Sequence, residues 1–142
     1  MNIPELLINL HINILYFLRL IAKNHQLSIQ QLLCIYSIPV DGITQTNLAD
    51  SLSVDVSTLS RNLDKLLLLN IIYKRSIPRD ARFVKIFLTS YGTTIFSHIV
   101  NDLNTYCNHM ELNQNNLDNQ SIADSLSQLN WNILTEKMKD EQ

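Results

Sequence analysis

The sequence predicts a mainly helical protein with one small β-hairpin. The chain has 142 residues, of which 46% are apolar, and this is enough for the core of one domain of ordinary size. It contains only two Gly and three Pro, so few turns are enforced along it. Apolar residues recur at helical spacing over most of the chain, whereas residues 70–88 show two short runs typical of β-strands.

Charge is distributed unevenly along the chain. The formal net charge is −2, yet residues 54–85 carry seven basic and three acidic side chains, a net charge of +4. Because the Debye length is about 10 Å at 0.1 M salt, acidic residues elsewhere do not cancel this local charge. The basic segment can therefore bind a polyanion. The alternative is a solvated hairpin whose charges keep a sheet edge soluble.

The first predicted helix, residues 3–23, is apolar on nearly all sides and needs burial on most of them. A second subunit supplies that burial more easily than one small domain does. Asn9, His11, Asn13 and Arg19 interrupt the apolar run, which argues against a membrane span. No basic residues precede it as in a signal peptide, and a cytoplasmic location is expected.

Two short helices are predicted next. Ser28 and Gln31 have the spacing of a capping box in front of a helix that ends near Ser37. A turn follows, and Thr44 is placed to cap the next helix, residues 45–52.

A longer helix is predicted after position 55, capped by Asp55 or Ser53 and ending near Asn70. Two short strands, residues 70–76 and 83–88, follow it and are joined by a tight basic turn, the pattern of a hairpin.

Two more helices complete the prediction. Thr89 is placed to cap a helix of residues 90–111, and a polar segment separates it from a last helix near residues 120–139.

A short helix, a tight turn, a longer helix and a hairpin occur here in the order of a winged helix-turn-helix fold. In that fold the longer helix enters the major groove of DNA by its N-terminal turns. Those turns contain Ser57, Thr58 and Ser60, which can bond phosphates or base edges, and Arg61, which can bond guanine or a phosphate. The hydroxyl residues also suit a helix N-terminus that has no ligand.

The predicted hairpin supplies a second contact with DNA. Its turn carries Arg79 and Arg82, which can reach the adjacent minor groove, where a narrow groove concentrates negative potential.

The run from Gly42 to Gly92 resembles the multiple antibiotic resistance regulator (MarR) family. It contains "DAR" at residues 80–82, similar to the family's Asp-x-Arg wing, and "LTSYG" at residues 88–92, similar to its Leu-Thr-x-x-Gly segment. The resemblance implies that Arg82 enters the minor groove and that Asp80 positions it. The complete set of candidate DNA-binding residues is Ser57, Thr58, Ser60, Arg61, Lys65, Arg75, Arg79, Asp80 and Arg82.

The resemblance covers essentially the whole chain and implies a single domain, residues 1–142, mainly α with a small hairpin wing. Residues 38–92 would form the DNA-binding lobe, and residues 1–37 and 93–142 would be mainly dimerisation helices. The implied protein is a homodimeric transcriptional regulator that binds a pseudo-palindromic operator in double-stranded DNA. The family also implies a small-molecule effector bound between the lobes. The sequence contains no metal-ligand cluster, and no cofactor is expected. No catalytic motif is present in the sequence, so an enzyme is not expected.

Two positions depart from the family pattern. Ala81 stands where many relatives have a second Arg, which lowers the charge of the wing. Asn70 stands where Gly is usual, although Asn tolerates the left-handed conformation that ends a helix.

Other readings of the sequence remain open. Cys34 lies in an apolar run, where a thiol is usually inert, but a redox role for Cys34 or Cys107 is an alternative. Cys107 and His109 point to different faces of a helix, which argues against a metal site. The alternative function is a helical protein-binding adaptor with a degenerate winged helix that does not bind DNA.

Overall fold

The computed structural model describes residues 2–112 and 117–141, without the side chains of residues 80–82 and 117. The chain forms two compact units, Met1–Leu103 and Asn104–Gln142. The elements of the described residues, in chain order, are α1 (Ile3–Asn24), α2 (Ile29–Ser37), β1 (Ile43–Thr44), α3 (Gln45–Leu52), α4 (Val56–Leu68), β2 (Ile72–Ile77), β3 (Asp80–Leu88), α5 (Ser90–His109) and α6 (Leu117–Asp140).

The predicted helix starts are confirmed where a side chain caps the helix. Ser28 and Gln31 form the expected capping box of α2, each side chain accepting the other residue's backbone N–H at 3.0–3.2 Å. The Thr44 hydroxyl caps α3. A further capping box, formed by Asn2 and Glu5, starts α1 and was not predicted.

The helix pair α3 and α4 turns at Ser53, which adopts a left-handed conformation with φ of 54° and so ends α3. Of the two predicted caps of α4, the structure selects Asp55. Leu59, Leu63 and Leu66 recur at helical spacing and form an inward stripe on α4, since they are at most 1% exposed. This stripe fixes which side of α4 faces the core and leaves the opposite side to solvent.

The sheet has three strands in the order β1-β3-β2, all antiparallel. The predicted hairpin is present, but β3 begins earlier than expected, so the turn is shorter. Strand β1, which pairs Ile43 with Ile86, was not predicted. Ile72 and Ile86 are buried on the inner face of the sheet, which is in contact with α3 and α4. Tyr73 and Phe87 lie on the outer face with their rings stacked 5.3 Å apart.

Hydrogen bonds and a close backbone contact join the start of α5 to the residue just before β2. Thr89 caps α5 as predicted, since its hydroxyl accepts the Gly92 N–H at 2.9 Å. The Thr89 N–H donates to the Ile71 carbonyl at 2.9 Å. A Cβ on Gly92 would lie 2.0 Å from that same carbonyl oxygen, so the position requires glycine. Asn70 has a φ of 56°, the left-handed conformation expected where the family has Gly.

The first helix exposes much of its apolar surface in the single chain. By length and composition α1 could cross a membrane, and only 11% of its most apolar window is buried. In the second unit, α6 also exposes large apolar side chains, including Trp131 at 65%. The exposed apolar residues of α1 are Ile3, Leu6, Ile8, Leu10, Ile12, Ile14 and Tyr16.

Candidate nucleic-acid interface

Helix α4 presents a polar surface opposite its buried leucines. Ser57, Arg61 and Lys65 are exposed and follow one another at intervals of four residues, so they lie along one side of the helix. Asp64 is also exposed beside them and reduces the local positive charge. The arrangement is that of a helix whose one side packs on the core and whose other side can enter a groove of DNA.

The N-terminal turn of α4 is organised by Asp55. The Ser57 hydroxyl donates to Asp55 Oδ1 at 2.5 Å, and the Thr58 hydroxyl donates to Oδ2 at 3.0 Å. The Thr58 backbone N–H also donates to Oδ1, at 2.7 Å. Hydrogen bonds from the Ser57 hydroxyl and the Thr58 backbone lower the pKa of Asp55 to about 2, so it is a carboxylate at neutral pH.

This network changes the expected role of two candidate residues. Ser57 and Thr58 commit their hydroxyl protons to Asp55, so their oxygen lone pairs are the groups left for other partners. For either hydroxyl to donate to a DNA phosphate, its hydrogen bond to the Asp55 carboxylate would first have to break. Ser60, the third hydroxyl candidate, is half-buried. Asp55 was one of the two predicted caps, but its hydrogen bonds with the Ser57 and Thr58 hydroxyls were not predicted.

The basic residues of the hairpin lie on both of its faces. Arg75 lies on the outer face with its guanidinium carbon 4.9 Å from the centre of the Phe87 ring, a cation–π contact. Lys85 is paired with Arg75 in the strand register, and its ammonium donates to the backbone carbonyl of Asp41 at 3.3 Å. Lys74 is exposed and lies on the other face, in register with Ile86. Sequence reasoning selected Arg75 and missed Lys85, because only the register shows that they are neighbours.

The wing tip is described in part. Arg79 is exposed in the turn between β2 and β3. The side chains of Asp80 and Arg82, which carry the predicted minor-groove contact, lie outside the described part of the structure, so their roles remain predictions.

The cysteines differ in their surroundings. Cys34 is buried in α2, and this burial raises its pKa to about 11, which disfavours the reactive thiolate. Cys107 in α5 is half-buried. Within residues 2–112 and 117–141, no group of three or more His, Cys, Asp or Glu side chains is arranged to hold a metal ion.

The exposed polar side of α4, the short helix α3 before it and the basic hairpin after it define a winged helix-turn-helix protein. The MarR family model matches residues 27–84, which span α2 to the middle of β3. This match confirms, over this part of the chain, the resemblance to the MarR family seen in the sequence.

Solved structures agree with this assignment. Wild-type MarR from E. coli, without ligand, is similar with a TM-score of 0.75, 21% identity, and coverage of 90% of this chain and 95% of that one. A MarR transcriptional regulator from Methanosarcina mazei gives a TM-score of 0.72 and 21% identity, over 91% and 97% of the two chains.

The MepR–DNA complex from S. aureus gives a TM-score of 0.71 and 17% identity, over 91% and 96% of the two chains. At these identities the similarity to solved structures establishes the fold. No protein with a curated function matches the sequence.

Proposed function

We propose that this protein is a homodimeric, sequence-specific transcriptional regulator that binds a pseudo-palindromic operator in the cytoplasm. The observation that carries the proposal is the exposed polar side of α4, with Arg61 and Lys65, followed directly by a basic hairpin. The MepR–DNA complex adds support, because a protein with this fold is bound to DNA there.

Five of the candidate residues have distinct proposed roles. Arg61 bonds a base edge or a phosphate in the major groove, and Lys65 contacts the backbone near it. At the wing, Arg82 enters the minor groove and Asp80 holds it there, as the family resemblance implies. Arg79 adds a phosphate contact from the exposed turn.

The exposed apolar surface of α1 supports the dimer. In this proposal residues 1–37 and 93–142 mainly form the dimer, and residues 38–92 form the DNA-binding lobe. A symmetric dimer presents two copies of α4 to half-sites about 34–36 Å apart, one turn of the DNA helix. Light scattering of the purified protein tests this, and a monomer at micromolar concentration would contradict it. Because α1 could also cross a membrane by composition, recovery in a carbonate-washed membrane fraction would count against the proposal.

An apolar pocket of about 510 Å³ is the proposed effector site. It lies between the end of α2 and the start of α5, where Tyr36 and Phe96 stack 5.9 Å apart. Ile38, Pro39 and Leu88 complete its apolar wall. Its size and lining suit a small, mostly apolar molecule. A Phe96→Ala variant that kept DNA binding and lost the response to an effector found by ligand screening would support this assignment.

The decisive experiment measures DNA binding after removal of the wing arginine. An operator is first selected from random double-stranded DNA with the wild-type protein. Arg82→Ala is then expected to weaken binding to it by about 1–3 kcal/mol at matched salt, the range for one good specific contact. Lys139→Ala, a surface change in α6, is the control. Unchanged affinity of Arg82→Ala would show that the wing assignment is wrong.

The adaptor alternative is tested by heparin affinity. A DNA-binding regulator should be retained on heparin and released by salt, because phosphate contacts exchange with counterions. Failure to bind heparin, together with a stable complex with another protein, would favour the adaptor.

A further inference from the structure

Phe83 is a large aromatic side chain that the fold leaves in contact with solvent. It is 53% exposed, and its neighbour Val84 is 40% exposed. In β3 it directly follows Arg82, the predicted minor-groove contact. A single exposed apolar residue is common on protein surfaces, so the surroundings of Phe83 decide whether it has a partner.

A β-bulge interrupts the strand pairing beside Phe83. Ser76 pairs with Val84, whereas the next residue of β2, Ile77, pairs with Asp80. Residues 81–83 therefore have no partners of their own in β2. A bulge bends its strand and changes the direction of the side chains on it. Phe83 thus lies where the regular sheet ends and the wing tip begins.

Phe83 and Val84 form one wall of a groove of about 500 Å³, termed the wing groove. Strand β1 ends at Thr44, opposite Lys85, so the start of α3 borders β3 beyond that point. Among the described residues that line the groove, none is charged. The residues of the opposite wall are Thr44, Gln45, Thr46 and Asn47.

The position of the wing groove matches one part of a DNA duplex. In helix-turn-helix proteins the helix before the recognition helix crosses the DNA backbone, and in this chain that helix is α3. On the other side of the groove lies the wing, which is proposed to enter the minor groove. A sugar–phosphate strand that runs between these two contacts passes along the groove.

The chemistry of the two walls also matches a nucleotide. Thr46 and Asn47 are exposed, and neutral hydroxyl and amide side chains of this kind commonly contact DNA phosphates. Phe83 offers an apolar surface to the neutral C–H groups of a deoxyribose. The basic segment around the groove has a net charge of +4, which favours a polyanion over an acidic or apolar protein surface that lacks phosphates.

We propose that Phe83 is a DNA contact whose ring packs on a deoxyribose at the edge of the minor groove, while Thr46 and Asn47 bond the adjacent phosphate. The inference rests on the proposed function, because it requires the wing to lie against DNA. The ring adds affinity by apolar burial and releases no counterions, in contrast to lysine and arginine contacts. It also selects deoxyribose, because a ribose 2′-hydroxyl buried against the ring would lack a hydrogen-bond partner.

The test uses the full-length protein and the operator selected with the wild type. Fluorescence anisotropy measures affinity over a salt series for the wild type, Phe83→Ala, Phe83→Leu and Tyr91→Ala. Tyr91→Ala is the matched control, because Tyr91 is an aromatic residue with a similar exposure, 52%, in the first turn of α5. Thermal melting and light scattering establish the folding and the oligomeric state of each protein.

Phe83→Ala should weaken operator binding by about fivefold per subunit, since about half of a Phe side chain is available for burial. The slope of log K against log salt should stay unchanged, because no cation is removed. Phe83→Leu should recover most of the affinity, and Tyr91→Ala should bind as the wild type does. Unchanged affinity of Phe83→Ala, a shallower salt slope, or an equal loss in Tyr91→Ala overturns the proposal.

A second set of operators, each with a single ribonucleotide at one position of a half-site, tests the contact with the sugar. The wild type should lose affinity where the ribose faces Phe83, and Phe83→Ala should lose less at that position. The same loss in both proteins at every position would show that the ring does not contact a deoxyribose.

The failure of this inference can be distinguished from the failure of the proposed function. If Arg82→Ala weakens operator binding and Phe83→Ala does not, the Phe83 contact is wrong and the proposed function stands. If the wild type binds no DNA, the proposed function fails and the Phe83 contact fails with it. If Phe83→Ala changes the oligomeric state instead of the DNA affinity, the wing groove holds a second copy of the chain and the proposal is wrong.

Discussion

The change Gly92→Ala is expected to destabilise the protein, although alanine normally stabilises a helix. Gly92 lies in the first turn of α5, and a Cβ at this position would be 2.0 Å from the carbonyl oxygen of Ile71. That carbonyl accepts the Thr89 N–H at 2.9 Å, and the Thr89 hydroxyl shares its one proton between this carbonyl at 3.1 Å and the Asn70 carbonyl at 2.7 Å. The first turn of α5 must therefore move away from β2, and the hydrogen bonds that join them weaken.

The size of the effect follows from these contacts. Overpacking costs about 1–3 kcal/mol, and weakening two of the hydrogen bonds costs about 1–3 kcal/mol in total. Because alanine has a higher helix propensity than glycine, the change also stabilises α5 by about 1 kcal/mol. The net loss of unfolding free energy is then about 3 kcal/mol. For a chain of this length, 1 kcal/mol lowers Tm by about 2–4 °C, so a loss of about 6–12 °C is expected.

Thermal unfolding followed by circular dichroism measures this loss. All variants are compared at one protein concentration, because dimerisation makes Tm depend on concentration. Thr94→Ala is the control, since Thr94 is exposed two residues further along the same helix and its replacement gains propensity without a clash. A Gly92→Ala protein as stable as Thr94→Ala would refute the reasoning, because the contact with Ile71 would then not constrain α5.

Two other expectations follow from titratable side chains. The pKa of Asp55 is lowered to about 2, so the stability it contributes is complete above its ordinary value of 3.8 and is lost as pH falls towards 2. Asp55→Asn should remove this part of the acid dependence in thermal melts while keeping a helix cap. Burial raises the pKa of Cys34 to about 11, so in the folded protein it should react with iodoacetamide much more slowly than Cys107, as read by mass spectrometry.

The helices and their caps were predictable because their signals are local. Ser28 and Gln31 are three residues apart, and the geometry of one helical turn brings such residues together. The same holds for Thr44 and for Thr89. The inward stripe of α4 was predictable because helical periodicity alone determines which residues share a side.

The remaining features depend on contacts between distant parts of the sequence. Strand β1 has only two residues, and it exists because Ile43 and Thr44 pair with β3 more than 40 positions later. The neighbouring positions of Arg75 and Lys85 depend on the hairpin register, which no local pattern determined. The choice of Asp55 over Ser53 as the α4 cap depends on the left-handed conformation of Ser53, since both residue types are good caps.

Not all cations of the basic segment are placed to contact DNA phosphates. Seven cations lie in residues 54–85, and if all of them contacted phosphates in both subunits, the salt slope would be about −13. The outer face of the hairpin holds Arg75 against Phe87 and Lys85 against Asp41.

Lys74 lies on the opposite face of the hairpin. The cations then left to α4 and the wing tip are Arg61, Lys65, Arg79 and Arg82. Eight phosphate contacts per dimer correspond to a slope of about −7 when log K is plotted against log salt. Binding to the selected operator over a salt series distinguishes the two values. A slope near −13 would require all seven cations of each subunit, Lys74 included, to contact phosphates. It would show that DNA draws Arg75 away from Phe87 and Lys85 away from Asp41.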